Sequence, residues 1–315
     1  MKYISIITVC TLILSISLSC KTIIANALTG EGSSTVFTGD SDPKLVGEAL
    51  PFAMKIYETL LDGNPKHRGL LLFTGSLFVM YANAFVQGPA EMLPSNEWKL
   101  KENELERARN LYLRGLDMLY RGLEVKHKGF IEAAELAATD TEAFETMLKK
   151  CKKDDVSFLY WAAAGGMAAY STNTFDFDLN ARIPEWKAMA LRAYELNPDF
   201  DGASLDEFLF ILYGSIPVER GGNPELAMEF YQRAMDKTAG RSASALITRA
   251  EMISASDVTE EGYELFKECL EKVIAINPDE DISSRLVTII NQKRAQWLLD
   301  NAYMYFSFIP FPDNY

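Results

Sequence analysis

Apolar residues along this chain recur at three- and four-residue spacing, and proline or glycine punctuates the runs. Two stretches stop in the same way, Ala193-Tyr194-Glu195-Leu196-Asn197-Pro198 and Val273-Ile274-Ala275-Ile276-Asn277-Pro278. Halfway between them, Ala227, Tyr231 and Ala234 fall on one helical face, with Ala239-Gly240 in place of Asn-Pro. Small residues at those offsets let a neighbouring helix approach closely. Proline then ends the helix, because it has no N–H and restricts the residue before it. The spacing predicts a two-helix unit every ~34 to 45 residues.

The same grammar extends through the chain. Asp40-Ser41-Asp42-Pro43 is a helix start, followed by Leu50, Ala53, Tyr57 and Leu60 and a stop at Asn64-Pro65. Residues 66–93 are almost uniformly apolar, but Gly69, Gly75, Asn83 and Gln87 interrupt them, so a helix buried on most sides is expected rather than a membrane span. Gly88-Pro89 and Leu93-Pro94-Ser95 are expected to end it. Residues 97–124 form an amphipathic helix, and 125–153 an insert with one short helix, Thr141 to Lys149. Glycines 165 and 166, inside the run Phe158 to Tyr170, mark a close helix approach. The loop 172–182 exposes Phe175 and Phe177 beside two aspartates. Two further pairs cover 204–236 and 242–276, and residues 282–306 read as a terminal capping helix. No strand pattern occurs. The prediction is an all-α fold of TPR-like helix-turn-helix repeats forming a solenoid. It occupies residues 44–306 as a single domain and leaves an irregular tail at 307–315.

The N-terminus follows a different pattern. Lys2 precedes an apolar, serine-flecked run from Ile4 to Leu18, too short for a membrane span, which ends in Ser17-Leu18-Ser19-Cys20. Small residues before that cysteine point to a bacterial lipoprotein signal over residues 1–19, with Cys20 acylated after cleavage. The alternative is an ordinary secretory signal with a chance cysteine. Residues 20–43 then form the lipid anchor and a tether with one short helix carrying Ile23, Ile24, Ala27 and Leu28. The expected location is periplasmic, lipid-anchored to a bacterial membrane, with membrane contact through the anchor only.

Charge and chemistry narrow the function. A net charge of -13 over 315 residues disfavours nucleic acid and broad contact with anionic lipid. His67 and His127 lack metal-ligand spacing, so neither a metal nor another cofactor is expected. No Cys–His or Ser–His motif occurs, and Arg220-Gly221-Gly222-Asn223-Pro224 lacks the Lys-Ser/Thr of a phosphate loop. Acidic pairs sit at helix starts, where capping explains them. An enzyme is therefore not expected. Cys269 lies in an apolar row and reads as a core thiol. Cys151, among four lysines, reads as a solvated residue in a basic loop; a Cys151–Cys269 disulfide is the alternative.

Three motifs resemble a known family: Phe37-Thr38-Gly39-Asp40-Ser41-Asp42-Pro43 with the helix running to Phe52, Ile216-Pro217-Val218-Glu219-Arg220-Gly221-Gly222-Asn223-Pro224, and Arg294-Ala295-Gln296-Trp297-Leu298-Leu299. Together they are similar to the TPR-containing lipoprotein associated with TRAP (tripartite ATP-independent periplasmic) transporters, the T component. The resemblance runs from about Ile23 to Phe306. It implies a homotrimer with a central pore, and association with the TRAP solute-binding protein. It also implies passage of a small organic or hydrophobic solute. The competing reading is a general TPR lipoprotein that binds peptide segments in envelope assembly. Aromatic or polar groups in otherwise apolar helices, Tyr81, Asn83, Gln87, Trp161 and Tyr213, are candidates to line a groove. Phe175 and Phe177 are candidates for partner contact.

Overall fold

Short polar side chains set the helix starts. Asp42 accepts hydrogen bonds from the backbone N–H groups of Lys44 and Leu45, both at 3.0 Å, and Pro43 supplies the pre-set first turn. Asn223 does the same for Leu226 at 3.0 Å, again with proline following, and Ser242 for Ala245 at 3.0 Å. The computed structural model describes residues 35–310, and among them every regular element is helical, with no β-strand. The anchor residue Cys20 and the tether helix at Ile23 to Leu28 lie outside the described residues.

The first helices are α1 (Thr35–Thr38), α2 (Pro43–Gly63), α3 (Arg68–Ala82), α4 (Gly88–Glu91) and the long α5 (Trp98–Lys126). The insert holds α6 (Phe130–Glu135) and α7 (Thr141–Lys150), two helices where one was expected. Then follow α8 (Val156–Ser171), α9 (Phe177–Ala181), α10 (Ile183–Leu196), α11 (Ser204–Ser215), α12 (Pro224–Lys237), α13 (Ala243–Ser256), α14 (Glu260–Ile274) and α15 (Arg285–Asp300). α3 packs on α2 and α5, α5 on α8, and α8 on α10, while α11 pairs with α12 and α13 with α14.

Two glycine contacts show how closely these helices cross. A Cβ on Gly115 of α5 would lie 2.7 Å from the carbonyl oxygen of Gly75 on α3, so only hydrogen fits at that crossing. A Cβ on Gly166 of α8 would lie 2.2 Å from the ring of Trp186, which is fully buried on α10. The close approach expected at Gly165-Gly166 is therefore present. Ala227 and Ala234 of α12 are buried and Tyr231 half-buried, as their face predicts. The segment Arg68–Glu91 is long and apolar enough to cross a membrane, but most of it is buried among the other helices.

Buried apolar residues form one large cluster from Val46 to Ala245, joined by Leu286, and a second from Ala243 to Phe306. α15 packs on α13 and α14, and it also reaches α1 and α2 at the other end of the chain. There Arg285 donates to the backbone carbonyl of Gly39 at 3.2 Å, across 246 residues, and pairs with Asp279 at 2.8 Å.

The cysteines correct one expectation. Cys151 is not solvated: it is fully buried, because the chain turns inward between α7 and the 3-10 turn Lys153–Asp155 and leaves only the lysines outside. Cys269 is buried as expected, and both thiols are free.

Candidate functional site

The apolar run of α3 does not stop before Gly88-Pro89. It passes through a wider π-helical turn, Asn83–Gln87, and continues as α4 to Glu91. Pro89 accounts for the widening, since in a regular α-helix its ring would clash with the carbonyl four residues earlier. Within that turn Asn83 is exposed, whereas Gln87 is buried.

Gln87 sits in a polar network drawn from several helices. Tyr112 of α5 donates to its Oε1 at 2.6 Å. Its Nε2 donates to Ser171 at the end of α8, at 3.1 Å, and to Glu91 of α4, at 2.8 Å. The other oxygen of Glu91 accepts from Arg294 of α15 at 2.7 Å, across 203 residues. Arg294 completes its fork on Glu251 of α13, through Nε at 3.0 Å and Nη2 at 2.6 Å. One guanidinium is thus held between two carboxylates.

Burial penalises the Arg294 charge, but Glu251 and then Glu91 more than offset it and hold the group above the ordinary arginine range. Burial raises the Tyr112 phenol well above its usual value, so it stays a donor. The side chains of Arg294, Glu91 and Glu251 remain 26%, 30% and 37% exposed, so solvent reaches the ionic end while Gln87 and Tyr112 are sealed beneath it. The set contains no nucleophile–base pair. It can hold a conformation or present hydrogen bonds, and it offers no group for covalent chemistry.

The other sequence-named residues lie elsewhere. Tyr81 is buried and stacked on Phe85, with ring centroids 5.8 Å apart. Half-buried Trp161 meets Tyr160 edge-on at 5.1 Å, and Tyr160 in turn packs against Phe200 and Phe208. Tyr213 is core material of the α11–α12 pair: it stacks on Phe230 at 5.9 Å, with the Lys187 ammonium 4.6 Å from its ring centre. Phe175 and Phe177 are each 88% exposed, on either side of Asp176, which caps α9. Only Tyr81, Asn83 and Gln87 therefore share one segment; Gln87 lies within the network, and Asn83 borders it through the Tyr112 hydroxyl. Tyr112, Ser171, Glu91, Glu251 and Arg294 were not among the candidates; Arg294 alone had a signal, since it opens one of the three family motifs.

A second polar centre lies at the foot of α8. Ligand-type atoms of His127, Cys151 and Asp155 fall within 4.8 Å of one another, all buried. Asp155 is already saturated: Arg68 at 2.6 Å, Lys126 at 3.0 Å, His127 at 2.9 Å and the Lys152 N–H at 2.9 Å converge on its two oxygens. Burial opposes its ionisation. The Lys152 N–H, His127, Lys126 and Arg68 outweigh burial and hold the carboxyl down to about 2. Burial, helped by the Asp155 charge, pushes the Cys151 thiol up to about 11. A protonated thiol and two resident side-chain cations make this a poor setting for a divalent ion. It is a structural ion-pair hub joining α3, α5 and α8.

A family model described as TRAP transporter T-component matches residues 39–306. An uncharacterized protein of Treponema pallidum (strain Nichols) is 33% identical over 263 residues, covering 84% of this chain and 80% of its own.

Proposed function

This chain belongs to the TRAP transporter T-component family, whose members are non-catalytic accessories of transport, and from that premise we propose that it serves as a periplasmic lipoprotein scaffold. In this reading Cys20 is acylated and holds the protein on a bacterial membrane. The TPR-like helical body docks the solute-binding subunit of a tripartite transporter and offers a groove for that subunit's small organic or hydrophobic solute. The observation that carries the reading is the span of the family match, which takes in nearly every described residue rather than one motif. The polar network supports it, because its groups are arranged for hydrogen bonding and its ionic end faces solvent. The fully exposed pair Phe175 and Phe177 supplies apolar contact area for a protein partner.

The test is a calorimetric titration of the chain against a TRAP solute-binding protein from the same organism, with and without that protein's ligand. Saturable binding weakened by Phe175→Ala/Phe177→Ala is expected. No heat in either state across the micromolar range would refute the transport reading and favour a peptide-binding role in envelope assembly. The anchor has its own test: Cys20→Ala should abolish acyl labelling and release the protein from membranes.

A further inference from the structure

The loop that exposes Phe175 and Phe177 is fastened at its base. The Phe175 N–H donates to Asn173 Oδ1 at 3.1 Å, and the Asp176 N–H to the Asn173 carbonyl at 3.1 Å. One oxygen of Asp176 accepts from the N–H groups of Asp178 and Leu179, both at 3.1 Å. Its other oxygen lies 3.7 Å from Arg109 of α5. The two exposed rings are therefore presented from a fixed turn.

A second loop is tied to the first. The turn Ile216–Pro224, one of the three family motifs, carries Val218, 63% exposed, in its 3-10 turn Val218–Arg220. The Gly222 N–H closes it on the Pro217 carbonyl at 3.1 Å, and the Asn223 N–H on the Tyr213 carbonyl at 2.9 Å. Arg220 donates to Asn180 of α9 at 3.3 Å, and Lys187 of α10 to the Gly221 carbonyl at 2.8 Å. Asn180 lies three residues from Phe177, on the same face of α9. The turn bearing Val218 is thus held beside the face that carries Phe177.

The charges around these loops are divided. The cations serve as fasteners: Arg109 on Asp176, Arg182 on buried Glu185 at 2.8 Å, Lys187 on the Gly221 carbonyl, and Arg220 on Asn180. The carboxylates of Asp178 and Glu219 are exposed and have no ion-pair partner among the described residues. Three apolar side chains and two unpaired carboxylates are left facing outward. A surface that receives them needs an apolar hollow with basic groups at its rim.

We propose that the loop 172–182 and the turn Ile216–Pro224 form one rigid docking surface for the solute-binding subunit. Phe175, Phe177 and Val218 enter an apolar cleft of that subunit, and Asp178 and Glu219 pair with basic residues around it. The assignment rests on the transport reading, to which it adds the second loop, the charge of the partner's face and positioning roles for Asp176 and Arg220. A surface already fixed loses little conformational freedom on docking, so more of its contact appears as affinity.

Calorimetric titration against a TRAP solute-binding protein from the same organism, at low and at high salt, tests it. Val218→Ser should weaken binding about tenfold. Asp178→Lys/Glu219→Lys should weaken it about tenfold at low salt and by less at high salt. Asp176→Ala keeps both rings but frees their turn, and should weaken binding about fivefold with an unchanged thermal midpoint. Asp176→Asn keeps the capping oxygen and should restore most of that loss. No binding by the wild-type chain overturns the transport reading and this surface with it. Binding that only Phe175→Ala/Phe177→Ala weakens overturns the two-loop surface alone. Tighter binding after the charge reversal overturns it as well. Variants that alter the sedimentation of the free chain and leave the titration unchanged assign the surface to contact between copies, which also overturns the proposal.

Discussion

Replacing Asp155 by asparagine keeps the shape of the side chain and removes its charge, so the variant isolates what the hub contributes. In the native protein the carboxylate is fully buried and receives Arg68, Lys126, His127 and a backbone N–H. Its pKa falls from 3.8 to about 2, a depression worth roughly 2.5 kcal/mol at 1.36 kcal/mol per unit. A depressed acid stabilises the fold fully above its unfolded pKa, and that contribution is lost as pH falls through the folded value. Asparagine resembles the protonated acid but turns an amide N–H₂ toward donors. Arg68 and Lys126 are a quarter to a third exposed and recover some hydration, which limits the damage. The expected cost at pH 7 is roughly 2 to 4 kcal/mol. Urea unfolding at pH 7, and at steps from pH 4 down to pH 2, measures it. The variant should lose stability at neutral pH and show a shallower acid decline than wild type. Equal stability at pH 7, or parallel acid limbs, would refute the reasoning.

At the α8–α10 crossing, Gly166→Ala drives a methyl into the buried Trp186 ring and should cost about 3 kcal/mol, read as a lowered thermal midpoint. With the Cys151 thiol raised to about 11 and Cys269 also buried, the native chain from Lys21 should yield no rapid reaction with an aromatic disulfide reagent at pH 8, and two thiols once unfolded.

Helix positions were legible because local rules set them. Asp42-Pro43, Asn223-Pro224 and the Ala227–Tyr231–Ala234 face each fix a start or a buried side within a turn or two, and the structure follows them. The glycine pair 165–166 announced a close crossing, though nothing nearby in sequence identified Trp186 as its neighbour. Two readings went astray, although the apolar helix does end before Leu93-Pro94-Ser95 as expected. Cys151 was judged by the lysines beside it and Pro89 by its power to stop a helix. Cys151 is covered by a buried turn, and the helix accommodates Pro89 by widening one turn rather than stopping. The polar network was the least legible part. Gln87 stood out as an amide in an apolar run, but Glu91 and Glu251 look like any solvated carboxylates until α15 brings Arg294 between them. Such a site is a product of topology rather than of spacing.

The reach of α15 back to α1 and α2 alters how the molecule should respond to changes in its length. An open array of helix pairs can gain or lose a unit, because each unit touches only its neighbours. Here Arg285 meets Gly39 and Arg294 meets Glu91 from opposite ends of the chain. Inserting or deleting one pair would rotate and translate one end away from the other, so the number of pairs is locked by the clasp. The same contacts join the two ends into one cooperative unit: fraying that begins at α15 exposes α1 and α2 as well. A permuted chain opened at an exposed loop, with the old ends joined near Gly39 and Arg285, would preserve the whole circuit.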